Sequence, residues 1–308
     1  LAAVSLFVGS GDVTLAALAD PDTASSAMQI LLISRLPRTL ALILAGSATA
    51  IAGLIMQMLV RNRFVDPSTA GTVESAGLGL LVVTILAPAL PIFGKMLVAA
   101  GFAIAGTALF LFILSRIPLR DILLVPLTGL VLSGIISAAS TFIAYRFNLI
   151  QTLLGWTVGD FSGVLRGRYE LLWLGFPITL AAYFIADRFT VAGMGRDVAT
   201  NLGVNYRHVM ATGLTIVALV SATVVVTVGM IPFLGLVVPN LVSMMIGDNM
   251  RRSVPWVAIL GALFVLACDI LGRTIRAPYE IPISTVVGVF GAALFLYLLL
   301  RRPRHRSA

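Results

Sequence analysis

Val209 to Gly247 reads V-M-A-T-G-L-T-I-V-A-L-V-S-A-T-V-V-V-T-V-G-M-I-P-F-L-G-L-V-V-P-N-L-V-S-M-M-I-G, 39 residues without a charge. As one helix the run would measure about 58 Å at 1.5 Å per residue, far more than the roughly 30 Å hydrocarbon core of a bilayer. It must double back, and Gly229 and Pro232 in G-M-I-P mark the reversal. Two membrane spans, 209 to 230 and 231 to 247, follow from this one stretch.

Working outward, further charge-free runs cover roughly 39 to 60, 75 to 94, 96 to 115, 122 to 145, 171 to 186, 253 to 268 and 281 to 300. Leu1 to Val8 is apolar but too short to cross, since a span needs about 20 residues. It reads as the end of a span; a cleaved signal peptide is the competing reading, against which stands the lack of a charged n-region. The sum is ten transmembrane helices, the first truncated, in a single all-α integral membrane domain over 1–308. Phe147 to Gly159, 13 residues between charges, reads as a half-helix or re-entrant segment.

Composition agrees. Of 308 residues 59% are hydrophobic and 11% charged, with mean hydropathy +1.05, whereas soluble chains carry about 25% charged residues. The net charge of +8 forms no basic stripe, so nucleic acid is excluded as a partner and anionic lipid headgroups are favoured. Cys268 lies inside an apolar run and has no intrachain disulfide partner. If the Arg61 loop is cytoplasmic, alternation puts 13 of the 21 Lys and Arg residues on that side, including Arg188, Arg196, Arg207, Arg251 and Arg252. The positive-inside rule favours that orientation. Small residues at Gly46, Ala50 and Gly53, at Gly101 and Ala105, and from Gly129 to Ser133 predict close helix packing. Pro126, Pro177 and Pro239 predict kinks or breaks.

Four stretches together resemble the iron-chelate and cobalamin permease family of ABC importers. The first is R-L-P-R-T-L at Arg35 to Leu40, leading through A-G-S-A-T-A-I-A-G-L-I-M-Q at Ala45 to Gln57 into R-N-R-F-V-D-P at Arg61 to Pro67. The second is G-M-G-R-D-V-A-T-N-L-G-V at Gly193 to Val204. The third is I-P-F-L-G-L-V-V-P-N at Ile231 to Asn240, closed by G-D-N-M-R-R-S-V-P at Gly247 to Pro255. The fourth is D-I-L-G-R-T-I-R-A-P-Y-E-I-P at Asp269 to Pro282. Many relatives carry P-H and then an arginine where this chain has Pro239, Asn240 and Ser243. The V-P-N form with G-D-N is similar to a subgroup handling catecholate-type siderophores such as petrobactin, anguibactin or vibriobactin.

The resemblance implies a type II ABC importer permease for iron–siderophore chelates in the bacterial cytoplasmic (inner) membrane, with a cobalamin or haem importer as the alternative within the family. It implies a second permease subunit, identical or related, two cytoplasmic ATPase subunits that bind ATP and Mg, and a periplasmic or lipoprotein siderophore-binding protein. The chain has no G-x-x-x-x-G-K-[ST] phosphate loop, so it is expected to be no enzyme itself.

By the same resemblance Arg35, Arg38 and Arg273 are expected to face outward and dock carboxylates of the binding protein, for which a planar guanidinium fork is suited. The 188–208 loop is expected to couple to the ATPase, through Gly195, Arg196, Asp197, Ala199, Asn201, Leu202, Gly203 and Val204. Many relatives have an acid where this chain has Arg196. Asn62 and Phe64 match an inner gate, and Ser133 and Ser137 lie on a pathway lined by the segment from Leu127 to Gly159. With only His208 and His305 as histidines, and a cargo that brings its own metal ligands, no metal site or bound cofactor is expected.

Asp269 is expected to face Arg273, four residues on, or a polar cavity, and Arg276 to pair with Glu280. An ion-driven secondary transporter would need acids at mid-membrane; the sequence reading puts the acids at span ends and finds Gln57 as the main polar group inside a span.

Overall fold

A computed structural model describes residues 1–9, 24–116, 124–167, 169–247, 249–276 and 279–300. The chain runs through α1 (Ala2–Phe7), α2 (Ala24–Val60), α3 (Thr72–Leu86), α4 (Ile92–Arg116), α5 (Leu124–Arg146) and α6 (Ile150–Thr157). It continues through α7 (Glu170–Gly193), α8 (Arg196–Asn201), α9 (Tyr206–Val228), α10 (Leu234–Ile246), α11 (Met250–Thr274) and α12 (Ile283–Leu300). No strand occurs among the described residues. Seven of these helices, α2, α4, α5, α7, α9, α11 and α12, are long and apolar enough to cross a membrane; α3 and α10 are shorter apolar helices. With α1 they fill the ten expected places.

The axis of the bundle is α2, packed against α11, α10, α9 and α7 at once, while α3 binds α4, α5 and α9 on one flank. Small residues permit this crowding. A Cβ on Gly46 would come within 2.8 Å of the Gly261 carbonyl oxygen in α11, and a Cβ on Gly53 would overlap the backbone of Gly235 in α10. Ala50 lies against Gly261 between them. Backbones meeting this closely gain dispersion contacts that lipid cannot replace. The expectation holds for this trio and for Gly129, whose added Cβ would overlap Thr69. For Gly101 it does not, since nothing lies within 4 Å of a Cβ there and Ala105 is exposed. The close approach on α4 belongs to Gly106, which meets Ser75.

The reversal falls where it was expected, with α9 ending at Val228, Gly229 at φ +81° and α10 opening at Leu234. The half-helix is α6, eight residues over Ile150–Thr157. After it the chain is tied back, the Asp160 amide donating to the Val228 carbonyl (2.9 Å) and the Ser284 amide to Gly159 (3.1 Å).

Several span boundaries differ from the charge-free runs, α7 for instance continuing through Asp187 and Arg188 to Gly193. The 75 to 94 run is broken at Leu86, and α4 starts at Ile92, because Pro88 and Pro91 interrupt a stretch that charge counting alone reads through. The 39 to 60 run begins at Ala24, and the 253 to 268 run extends over Met250–Thr274, because Arg35, Arg38, Asp269 and Arg273 lie inside helices, where Asp269 pairs with Arg38 and Arg273. A π-turn over Leu31–Arg35 precedes Pro37 in α2. Pro37 has no N–H for the Ile33 carbonyl, and the Arg166 amide donates to it instead (3.0 Å).

Candidate functional site

Four groups of residues carry the polar chemistry of this apolar bundle. The first is an ion cluster where the start of α2, the end of α11 and the 279–282 segment converge. Arg38 donates through Nη2 to Asp269 Oδ1 (2.8 Å), through Nε to the same oxygen (3.2 Å), and through Nη1 to Glu280 Oε2 (2.7 Å). Arg273 Nη2 lies 2.6 Å from Asp269 Oδ2, one helical turn away. Arg273 also donates to Ser5 Oγ (2.7 Å) and the Val8 carbonyl (2.6 Å), and Arg35 donates to Val8. Asp269 is 2% exposed, Arg273 4% and Arg35 7%.

The three arginines expected to point outward are thus turned into the protein. A buried carboxylate unpaired in a span costs several kcal/mol, so Asp269 draws in the nearest guanidinium groups. Asp269 does face Arg273, as its spacing predicts. Glu280 pairs with Arg38, not with Arg276, because α11 ends at Thr274 and the four-residue spacing is no longer helical.

The second group is the loop between α7 and α9. Gly195 at φ +116° and Gly203 at φ +74° take conformations that a side chain would strain, and they bracket α8 (Arg196–Asn201). The Val204 amide donates to the Ala199 carbonyl (2.9 Å) and the Leu202 amide to Val198 (3.0 Å), closing the turn on itself. Ala199 is buried beneath it. Arg196, Asp197, Asn201 and Gly203 are exposed, and so are the apolar Met194, Val198 and Leu202, the last at 62%.

The third is a cavity of about 350 Å³ at the end of α2, lined by Gln57, Arg61, Asn62, Arg63, Asn240 and Ser243 among others. Asn240 Nδ2 ties two walls together by donating to the Arg63 carbonyl (2.7 Å). Asn62 Oδ1 accepts from the Phe64 amide (2.8 Å), turning the Phe64 ring toward α12. There it meets Phe295 edge-on at 6.0 Å, and Phe295 stacks on Phe233 at 6.5 Å. Asn62 and Phe64 are therefore brought together, but apart from Ser133 and Ser137.

Those serines belong to the fourth group, on α5. Ser133 is buried, and Ser137 lines a second cavity of about 270 Å³ between α3, α5, α6 and α9. Glu74, in the first turn of α3, lines it too. The sequence reading missed Glu74 because it adjoins the charge-free run from 75; the signal was its place among Gly71, Ser75 and Gly77, small residues that let neighbours close over it. No group of three or more His, Cys, Asp or Glu residues that could hold a metal occurs among the described residues.

The chain matches the FecCD transport family over residues 1–301. It is 49% identical over 305 residues to the petrobactin import system permease protein YclN of Bacillus subtilis, covering 99% of this chain and 96% of that protein. It is 40% identical to the ferric-anguibactin transport system permease protein FatD of Vibrio anguillarum, covering 98% and 95%. A solved structure described as a metal-chelate type ABC transporter in an inward-facing conformation shares the fold, with TM-score 0.80 at 24% identity, covering 97% of this chain and 94% of that one. Helices, spacing and sequence agree along the whole length: this multi-pass membrane protein belongs to the FecCD transport family.

Proposed function

We propose that the chain is the membrane-spanning permease subunit of an ATP-driven importer for iron–siderophore chelates of the catecholate type, in the bacterial cytoplasmic membrane. The observation that carries this reading is the apolar edge of α8. Met194, Val198 and Leu202 stand exposed on a polar loop beyond the end of the α7 span. An apolar edge on a short helix pinned by two glycines suits docking into a groove of a partner, and a rigid body can transmit force where a floppy connector cannot. The partner is an ATPase that holds ATP and Mg, with one copy for each of two permease subunits, and the 188–208 loop is the coupling element. Relatives named for petrobactin and anguibactin support the chelate class.

The cavity around Asn62 is the inner end of the path, and Ser133 and Ser137 of α5 line its middle. A binding protein engages the opposite end. There Arg38 and Arg273 reach its carboxylates by exchanging them for Asp269 and Glu280, with Arg35 beside them. Reconstitution with the ATPase and binding protein tests the reading. ATP-dependent uptake of a ferric catecholate chelate into proteoliposomes is expected, and uptake driven by an ion gradient without any ATPase overturns it.

A further inference from the structure

The cavity between α3, α5, α6 and α9 is unusual in what its polar atoms offer. Glu74 Oε2 is buried and accepts no hydrogen bond among the described residues. Ser133 interacts with this carboxyl, yet Ser133 Oγ makes no well-aligned bond. Three of the hydroxyls around the cavity are already committed as donors. Ser140 Oγ donates to the Ile136 carbonyl (2.9 Å), Thr141 Oγ1 to Ser137 (2.9 Å) and Thr157 Oγ1 to Leu154 (3.0 Å). A hydroxyl has one proton, so these groups present only lone pairs to the cavity. The Trp156 side chain completes the lining.

The charged side chain that acts on Glu74 is another acid, Asp66. Asp66 is itself fully buried, and its Oδ1 accepts from Ser68 Oγ (2.7 Å) and the Thr69 amide (2.9 Å). A smaller space lined by Asp66 adjoins the Glu74 cavity, sharing Val73, Val225 and Met230. Ser133 to Thr141 lie nine to seventeen residues into α5, roughly 14 to 26 Å along this apolar span. An unsatisfied buried carboxylate oxygen among membrane helices costs several kcal/mol unless something brings it hydrogens.

We infer that Glu74, with the hydroxyl lone pairs of Ser140 and Thr141, forms a binding subsite for a protonated amine. An ammonium group supplies three donors and a positive charge to a site made of acceptors, and Trp156 adds an aromatic face. A bare alkali ion would satisfy the charge but gain nothing from the apolar wall. The volume of about 270 Å³ lies just under the range of about 300 Å³ and above for whole ligands, so the subsite takes a small amine or one amine-bearing arm of a larger cargo. The site rests on the permease reading only for the identity of that cargo.

The test is made on the purified full chain in uncharged nanodiscs, without transport, so that its outcome is independent of the importer reading. Trp173→Phe and Trp256→Phe leave Trp156 as the sole tryptophan reporter. Benzylammonium is expected to bind at least about tenfold more tightly than benzyl alcohol, as suits a charge-assisted hydrogen bond to a buried carboxylate. Glu74→Gln should abolish that preference, while Asp187→Asn, at an exposed acid, should keep it. Equal affinity for the two probes, an unchanged preference in Glu74→Gln, or full displacement by sodium ion at equal concentration overturns the subsite. Equal affinity in the wild-type chain alone suffices, so the result stands even where Glu74→Gln does not fold.

Discussion

Gln57 Nε2 in α2 lies 3.2 Å from the carbonyl oxygen of Gly235 in α10. That oxygen is four residues before Pro239, whose ring nitrogen has no hydrogen to give it. The Gln57 amide therefore replaces the hydrogen bond that proline removes, at the place where Gly53 and Gly235 bring the two backbones together. Buried carbonyls are seldom left unpaired, and in a bilayer no water is at hand to pair them.

Gln57→Leu should leave the Gly235 carbonyl without its donor at a cost of about 1–3 kcal/mol, seen as a lower unfolding midpoint of the purified protein. In a Pro239→Ala background the residue 239 amide can bond Gly235 itself, and the same substitution should cost clearly less. A double-mutant cycle with no coupling would disprove the pairing.

Asp269 sits between two guanidinium groups and is 2% exposed. Removing one partner of a buried ion pair leaves uncompensated charge, so Asp269→Asn should destabilise by about 3–5 kcal/mol. The bridge between Arg251 and Asp187 is as short, 2.8 Å, but both side chains are 60% exposed, and Asp187→Asn should cost no more than about 1 kcal/mol. Thermal unfolding of the two variants side by side checks the ordering, and similar midpoints would show that the cluster is solvated.

Much of this architecture was legible in the chain itself, for identifiable reasons. The reversal at Gly229 and Pro232 could be read because a 39-residue uncharged run has no other way to fit a bilayer. The Asp269 and Arg273 pair could be read because four residues is one helical turn. The ends of α2 and α11 could not, since charges were taken as span ends, and whether a charge lies inside depends on a partner elsewhere. Arg38 and Glu280 are 242 residues apart, and nothing local to either announces the other. Charge spacing likewise suggested Arg276 for Glu280, a pairing that fails once α11 has ended. The acceptor-rich cavity at Glu74 was hidden for a similar reason: four helices meet there, and its polar residues are scattered over three of them.

Close backbone contact predicts a sharp contrast between glycines. Gly53→Val should abolish folded protein in detergent, because its first added carbon already overlaps Gly235. Gly134→Ala, with nothing within 4 Å of the new carbon, should be neutral or add up to about 1 kcal/mol, since alanine loses less entropy than glycine in a helix. Size-exclusion chromatography and melting of both variants check the contrast.

The apolar edge of α8 yields the prediction that bears most directly on coupling. Leu202 is 62% exposed, and its amide is held by Val198 while Gly203 turns the chain away, so its side chain contributes little to the fold of the subunit. Leu202→Asp should therefore leave the isolated subunit's melting point within about 0.5 kcal/mol of wild type, as for an ordinary surface change. In the complex it would bury a charge in an apolar groove, and about 2 kcal/mol or more of lost affinity should follow. Co-purification with the ATPase should fall, and ATP-dependent uptake with it. Leu202→Met, which keeps the apolar volume, should retain both. Because Ala199 is buried under the same turn, Ala199→Asp should by contrast unfold the loop and lower the melting point of the subunit alone. A Leu202→Asp subunit that still binds its ATPase and transports at the wild-type rate would remove α8 from the coupling path, whatever its shape suggests.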